Sequence, residues 1–523
     1  MSASMYALDG SSCGVAVQPV IEVKADRIMI YPQRMQLTGE ESLMDILQMM
    51  PDLMISGYED VLDAYNLRID NCPPNGDTRL ILSQMKAKDI ARIQVCDNTG
   101  VAKGTIGTNK VLDINMLMPD TVKGFVEAQG GFGKQMEGNG TVNVLYGNRK
   151  TDLYANATYR YQQGHKEYLS LHMTNRFDDR NRLLTYLTQQ YIKLPTTTSQ
   201  KIMGRARYFH TFNDLGTELL ILGGYQYATD LTSTSQLPMF VLELNTPLPA
   251  KGLTLMAGVE GDYLLSRQKD ADKSWDIFNH DIYLQLTYSL PQWRFTAGNR
   301  VLIYNYRLAD AAARQTRMDV RNNTGASVIY MPHPFHQLQV GYYRKFFNPA
   351  NVALMAEADR LTEEAWITTR DMLDERVINQ FKLSYAYSRQ KLTVQAEGGY
   401  YLIEGEDNYG RLNASAYWRT KWLTLTGGAN LYIASSKVFA SLRLSPTAYL
   451  PRNWQIALLL IYFTPRSPIR ELYGTPVYGC LSVNKQIANH WNIGVDWHDM
   501  FDSFCHTATI NRHAACIKAQ YRF

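Results

Sequence analysis

The side chains that could carry chemistry in this sequence are scattered. The histidines stand apart and outside any catalytic motif; His172, His210, His280 and His498 are examples. GxSxG, HExxH and P-loop patterns are absent, as is a GxGxxG between a strand and a helix. A surface hydrolase is therefore the least favoured class, and the sequence predicts no catalytic residue, no enzyme activity and no cofactor.

Metal-binding patterns are equally sparse. The six cysteines include no CxxC pair, so a zinc site is not expected. An oxidising compartment would allow Cys72 to pair with Cys96, or Cys505 with Cys516, and both pairings stay open. The acidic stretch at residues 357–366 could bind a metal or a cationic ligand, but a solvated loop is the favoured interpretation. No metal ligand is predicted.

The elements around these residues are alternating segments. In "DLYANATYRYQ", residues 152–162, Leu153 and Ala155 fall on an apolar face, whereas Asn156 and Thr158 fall on a polar face. Successive side chains of a strand point to opposite faces, so this pattern indicates a half-polar strand. Roughly 22 such segments follow Lys123.

Connections between these segments alternate between two kinds. One kind is tight, as in "GNRKTD", "PLPAKG", "LPQW" and "LPRNW", and the other is longer and polar, as in "SRQKDADKSWD" and residues 348–375. Short turns at one rim and longer loops at the other are typical of outer-membrane β-barrels. Trp293, Trp422, Trp454 and Trp491 each stand at a tight turn, which predicts an aromatic girdle at one rim.

Bulk properties narrow the class further. No apolar run approaches the roughly 18 residues of a membrane-spanning helix, but barrel strands need only about 9–11. The net charge of +4 is small for 523 residues, so no nucleic-acid partner is expected. A soluble sandwich or propeller would show the same alternation, and a propeller would also show a repeat of about 40–50 residues, which we do not find.

The first hundred or so residues differ from the rest. Leu43, Ile46, Leu47 and Met50 have the spacing of one helix face, and this pattern predicts a helix that ends at Pro51. Strands interspersed with turns complete a small α+β domain. The start, "MSASMYA", resembles the tail of a secretory signal cleaved after Ala7, although a flexible N-terminus is an equal alternative.

This front region resembles the plug domain of TonB-dependent outer-membrane receptors. The segment "SLMDILQMMPDLMI" is similar to the plug's opening helix, and "NLRIDN" is similar to a later strand and turn. Ile90, Ile93, Val95, Gly104, Gly107 and Ile114 occupy matching positions in a third segment. The match covers about residues 29–117, and the Bacteroidetes type of this family is expected. The sequence departs from the family at Asn71, which replaces a turn glycine.

The resemblance implies a transmembrane antiparallel β-barrel of about 22 strands with a small α+β plug domain in the lumen. The expected domains are 1–28, a signal tail and periplasmic segment; 29–122, the plug; and 123–523, the barrel. Such a receptor would bind an unidentified extracellular solute or oligomer and admit it through the plugged barrel. The alternative is a non-transporting barrel that serves as a structural or partner-docking component of an outer-membrane complex.

Partners also follow from the resemblance. Outer-membrane lipid would surround the barrel, and the periplasmic domain of TonB would pair with Val20, Ile21, Glu22 and Val23. These residues could equally form an ordinary first strand of the plug. Tyr521 and Phe523 resemble the C-terminal signal that the barrel-assembly machinery reads.

Overall fold

The computed structural model describes residues 21–24, 27–34, 43–48, 65–69, 85–96, 110–117 and most of 122–522. Within the last range the gaps are 133–136, 149, 162–163, 179, 196–197, 214–215, 270–272, 310–313, 334, 348–375, 390–391, 404–407, 435–436, 465–476, 488–490, 498–499 and 501–514. The loop at 348–375, Phe523 and Val20 lie outside the described residues, as does the signal-like start.

The N-terminal region contains a five-stranded sheet in the order β1-β2-β4-β5-β3. Its strands are β1 (Ile21–Lys24), β2 (Arg27–Ile30), β3 (Tyr65–Ile69), β4 (Ile90–Cys96) and β5 (Lys110–Met116). Strand β3 runs parallel to β5, and the other neighbours are antiparallel. We call this sheet, with the helix described next, the plug. Strand β1 lies on the N-terminal side of the predicted boundary at residue 29, and that boundary stays a prediction.

Helix α1 (Leu43–Gln48) forms where the spacing predicts it, and two 3-10 turns span Pro32–Arg34 and Ala87–Asp89. Leu43, Ile46 and Leu47 are fully buried. Ile90 and Ile93 of β4 are also fully buried, as are Val111, Leu112 and Ile114 of β5. The helix prediction is confirmed for these residues, and Met50 lies outside the described part of the chain.

Twenty-two of the described strands close an antiparallel barrel, in which each pairs with the next and the last pairs with the first. The closing pair joins Ala515 to Phe132 and Arg522 to Phe125, so no strand edge stays open there. The barrel strands are β6 (Lys123–Phe132), β7 (Glu137–Gly147), β8 (Thr151–Tyr161), β9 (His165–Arg176), β10 (Asn181–Lys193), β11 (Thr198–Thr211), β12 (Glu218–Thr229), β13 (Ser233–Pro247), β14 (Leu253–Gln268), β15 (Ser274–Ser289), β16 (Trp293–Ala309), β17 (Arg314–His333), β18 (His336–Phe347), β19 (Arg376–Arg389), β20 (Leu392–Ile403), β21 (Tyr409–Arg419), β22 (Leu423–Ala434), β23 (Lys437–Leu450), β24 (Trp454–Phe463), β25 (Val477–Ile487), β26 (Trp491–Trp497) and β27 (Ala515–Arg522).

The apolar face of the wall points outward and the polar face points into the lumen. On β8, Asp152, Asn156 and Thr158 are buried, whereas Leu153 and Ala157 on the other face are partly exposed. On β27, Ile517 and Tyr521 are exposed, and Lys518 faces the lumen, where it pairs with Asp496. A soluble sandwich would show the reverse arrangement, so this orientation is that of a membrane barrel.

The two kinds of connection separate to opposite rims, as predicted. Tight turns such as 248–252, 290–292 and 451–453 all join an odd-numbered barrel strand to the next even-numbered strand. The strands on either side of 348–375, 404–408 and 464–476 all end at the other rim. Trp293 stacks on Tyr330 with ring centroids 4.2 Å apart, and Trp491 lies 5.0 Å from Tyr521, both at the short-turn rim.

No helix in the described part of the chain is long and apolar enough to cross a membrane.

Candidate functional site: the lumen wall and the plug

A charged cluster lines the lumen on β13–β16. Strand pairing sets Glu260 of β14 directly opposite Asp281 of β15, and Asp262 opposite Asn279. The side chain of Asn279 donates a hydrogen bond of 2.7 Å to Asp262. Alternating positions on neighbouring strands share one face, so these carboxyl groups all point into the lumen. We call Glu243, Glu260, Asp262, Asp281, Tyr283 and Arg300 the lumen cluster.

Arg300 is the central cation of this cluster. It is 2% exposed, and its guanidinium forms ion pairs with both Glu260 and Asp281. Its Nε also donates a hydrogen bond of 3.0 Å to Asp281. A guanidinium presents several donors in a rigid plane, so it can hold two carboxylates at once. Removing either carboxylate would leave a buried charge without compensation and would destabilise the wall.

Tyr283 connects the cluster to β13. Its hydroxyl donates a hydrogen bond of 2.6 Å to Glu243, and the Arg300 guanidinium lies 5.2 Å from its ring. The ring crosses β14 at Gly258, where an added Cβ would overlap Tyr283 and approach the Leu242 carbonyl to 2.9 Å. Gly258 therefore provides the space that lets a side chain of β15 reach β13.

The plug meets this part of the wall. Arg68, on strand β3 of the plug, interacts electrostatically with Tyr283. Strand β1, at the other edge of the plug sheet, lies against β18 and β19 of the barrel. Strand β1 thus contacts the wall, and Arg68 at the opposite edge of the sheet lies within electrostatic range of it, which places the plug inside the lumen.

An apolar cluster lies above the charged one, toward the long-loop rim. Its buried members are Leu264, Ile277, Leu302, Tyr304 and Phe346. Leu264 follows Asp262 by two positions on β14, and Leu302 follows Arg300 by two positions on β16. From the long-loop rim toward the short-turn rim, the lumen wall of β14–β16 therefore changes from apolar and aromatic to charged.

Other lumen-facing charges are paired with each other. Lys382 on β19 lies 3.0 Å from Glu397 on β20, and Lys518 on β27 lies 3.1 Å from Asp496 on β26. Ser482 adds a hydrogen bond of 2.5 Å to Asp496. Among the described residues, no group of three His, Cys, Asp or Glu side chains could hold a metal ion.

The histidines singled out in the sequence do not come together. His172 lies between the rings of Tyr154 and Tyr186, with centroids 5.6 and 4.0 Å away. His280 makes a hydrogen bond of 3.1 Å with Tyr263, and His210 makes one of 2.7 Å with Asn181. His498 lies outside the described residues, as do Cys72, Cys505 and the acidic stretch 357–366, so both cysteine pairings stay open.

The predicted coupling segment is partly described. Ile21, Glu22 and Val23 belong to β1, which pairs antiparallel with β2 and forms an edge of the plug sheet. Of the predicted assembly signal, Tyr521 lies at the short-turn rim, directly opposite Trp491 and Val126. Neither observation tests the roles that the resemblance suggests, and both roles stay predictions.

Sequence reasoning missed the lumen cluster. Its signal was present as Glu260 and Asp262 two positions apart, Asp281 and Arg300, all within strands whose other faces are apolar. Strand register, which sets Glu260 opposite Asp281, was needed to bring them together.

No family model matches the sequence, and no curated protein matches it either. Solved structures do share the fold. The siderophore receptor PirA from Pseudomonas aeruginosa matches with a TM-score of 0.70 at 11% identity, over 96% of this chain and all of that one. The open form of the ferric-catecholate import receptor Fiu from E. coli gives a TM-score of 0.69 at 11% identity, over 97% and 98% of the two chains. The siderophore receptor PiuA from Acinetobacter baumannii gives 0.68 at 10% identity, over 99% of each chain.

These similarities establish the fold class. The chain has the architecture of solved outer-membrane receptors, and the predicted barrel of about 22 strands around an N-terminal plug is confirmed. The expected Bacteroidetes type stays a prediction.

Proposed function

We propose that the protein is an outer-membrane receptor that admits an extracellular solute past its plug, powered through TonB. The observation that carries this proposal is the plug itself, which contacts the inner wall at β1 and interacts electrostatically with it at Arg68, while the barrel presents an apolar outer face. A closed barrel gives polar solutes a path through a membrane, and the plug closes that path. Passage therefore requires the plug to move.

The proposed partners follow from this function. Outer-membrane lipid surrounds the outer face, the barrel-assembly machinery inserts the chain by way of Tyr521 and Phe523, and TonB pulls on the plug. The solved receptors that share the fold are described as receptors for siderophores or ferric catecholates. A ferric chelate is accordingly the first solute class to test, and no bond chemistry is proposed.

Strand β1 offers a specific place for TonB to add a strand. Lys24 pairs with Arg27 across a connection of two residues, an arrangement in which such a pair is ordinarily hydrogen-bonded, and hydrogen bonding to β2 is expected to alternate from there. The N–H groups of Ile21 and Val23 consequently point to the unpaired edge. Since β1 also lies against β18 and β19, TonB would have to draw this edge away from the wall.

The most direct test of strand addition by TonB removes one backbone N–H from the free edge of β1. Val23→Pro removes a donor of the free edge without removing a β1–β2 hydrogen bond, and Val23→Ala is its matched control. Uptake of radiolabelled ferric catecholate by iron-starved cells should fall to the level of a tonB deletion strain in V23P and stay near wild type in V23A. Full uptake in V23P would refute the coupling segment, and uptake of wild type that is indifferent to TonB would refute energy coupling.

A second function has one observation in its favour. The segment assigned to coupling is a strand of the plug and rests on the wall, which suits a barrel that acts as a docking component without transport. Affinity purification of the full chain from membranes should then recover a stoichiometric partner, and V23P should leave all solute uptake unchanged.

A further inference from the structure

A polar row crosses the outer face of the barrel on four adjacent strands. Asn299 of β16 is directly opposite Thr324 of β17, Thr324 is opposite Arg344 of β18, and Arg344 is opposite Asn379 of β19. The next residue along each strand faces the lumen and is buried: Arg300, Gly325, Lys345 and Gln380. The row therefore points outward, on the face that the rest of the wall fills with apolar side chains.

The surroundings of the row are apolar. Two positions nearer the short-turn rim, the outer face of these four strands carries Ala297, Ala326, Tyr342 and Phe381. Four positions nearer that rim, it carries Phe295, Val328, Val340 and Leu383. Polar side chains on a lipid-facing surface are unfavourable unless they have a partner. Toward the long-loop rim the outer face is mixed, because Asn322 follows Thr324 on β17 while Val320 and Met318 beyond it are apolar and exposed. The row is thus a polar level on a largely apolar face, and it calls for a polar partner.

Arg344 is the charged member of the row. It is exposed, and in the described part of the chain no carboxylate lies within ion-pair distance of its guanidinium. Its neighbours are hydrogen-bonded in fixed positions: Asn299 donates to Thr324 at 3.1 Å, and Tyr342 donates to Asn379 at 2.8 Å. Because the Asn379 oxygen already accepts from Tyr342, the amide NH2 of Asn379 is left to donate to another acceptor beside Arg344.

The height of Arg344 suits a lipid headgroup. It lies eight positions beyond His336, where β18 begins at the short-turn rim. A tilted strand gains about 2.5 Å of height per residue, so the Arg344 backbone lies about 20 Å above that rim. The apolar band of a membrane barrel is about 25 Å tall, and a long cationic side chain can extend along the wall to the polar boundary.

We propose that Arg344, with Asn379 and Thr324, binds the phosphate of an anionic lipid in the leaflet at the long-loop rim. The planar guanidinium presents two parallel donors that match a phosphate, and the amide and hydroxyl add neutral donors on either side. The lipid chains would lie over the apolar positions just below, beside Tyr342 and Phe381. This site rests on the proposed membrane location and does not depend on solute transport.

The test measures lipid retention by the full chain. Native mass spectrometry in maltoside micelles doped with dioleoyl phosphatidylglycerol, or with phosphatidylcholine, gives the apparent Kd for each lipid. Phosphatidylglycerol should bind wild type more tightly than phosphatidylcholine does, and Arg344→Gln should weaken that binding about tenfold. Arg344→Lys keeps the charge but loses the two parallel donors of the guanidinium, so its Kd for phosphatidylglycerol should lie between those of wild type and Arg344→Gln. Lys251→Gln, a charge removal in an exposed turn at the opposite rim, should leave the Kd unchanged.

The measured Kd values distinguish a lipid headgroup from a free anion as the ligand of the row. Equal Kd values for wild type and R344Q, or an equal loss in K251Q, would overturn the site. Competition by inorganic phosphate at the concentration of the lipid would instead assign the row to a free anion, which also overturns the lipid proposal. Heat-modifiable migration on gels confirms that each variant is a folded barrel. A chain that is not a membrane barrel would stay soluble without detergent, which is the failure of the proposed function and not of this site alone.

Discussion

Tyr283 and Gly258 show how closely side chains of neighbouring wall strands pack in the lumen. Tyr283 reaches Glu243 only because the strand between them has no side chain at residue 258. The same hydroxyl and ring lie beside Arg300 and interact with Arg68 of the plug. A side chain at residue 258 should therefore disturb the contacts of Tyr283 within the wall and its interaction with Arg68 of the plug.

Gly258→Ala tests this fit. The added methyl group overlaps the Tyr283 ring and faces a backbone carbonyl that cannot move away, so we expect a loss of about 1–3 kcal/mol in the free energy of unfolding. Thermal unfolding of the barrel, followed by gel mobility in detergent, measures the loss. Gly223→Ala is the control, because nothing lies within 4 Å of its Cβ, and it should change stability by about 0.5 kcal/mol or less. An equal effect of the two changes would contradict the assigned role of Gly258.

Among the elements, helix α1 and the strands followed directly from local patterns. The spacing of Leu43, Ile46 and Leu47 is that of one helix face, and the alternation in residues 152–162 is that of a wall strand. Both patterns are set by neighbours within a few positions. The lumen cluster was not predictable in the same way, because Glu260 and Asp281 are brought together by a register that the chain fixes only when the strands pair.

Leu47→Ala tests the contribution of α1 to the plug. Leu47 is fully buried, so its truncation leaves a cavity and should cost the plug about 2–5 kcal/mol. Hydrogen exchange should quicken in β4 and β5, while exchange in β14–β16 stays at the wild-type rate. Leu117→Ala removes the same atoms from a side chain that is 40% exposed and should leave both rates unchanged. Faster exchange throughout the barrel would show that α1 stabilises more than the plug.

For the whole molecule, the orientation of the wall is the property on which the proposed location depends. Alternation alone could not distinguish a face turned to lipid from a face turned to a protein core, because both are apolar. Turn asymmetry and the tryptophans pointed to lipid, and the exposed apolar side chains of the closed barrel agree with them.

Arginine at two depths tests that orientation. Ile517 is exposed on the outer face of β27, four positions from the rim residue Tyr521, whereas Ile487 is exposed at the short-turn rim itself. Ile517→Arg should destabilise the barrel in lipid by about 2–4 kcal/mol, and Ile487→Arg by about 0–1 kcal/mol. Refolding into phosphatidylcholine vesicles at graded urea concentrations measures both costs. Equal costs would show that the outer face does not lie in hydrocarbon.

Wall height is uneven around the barrel. Strand β17 has 20 residues and the three strands before it, β14–β16, have 16 or 17, whereas β26 has 7 and β27 has 8. At about 2.5 Å per residue, the described wall stands about 50 Å tall on one side and about 20 Å on the other. The described strands therefore reach higher on the β14–β17 side than on the β26–β27 side. The apolar and aromatic cluster of β14–β16 lies on the lumen face of that taller side, and under the proposed function an incoming solute would meet this apolar surface before it reached the charged cluster.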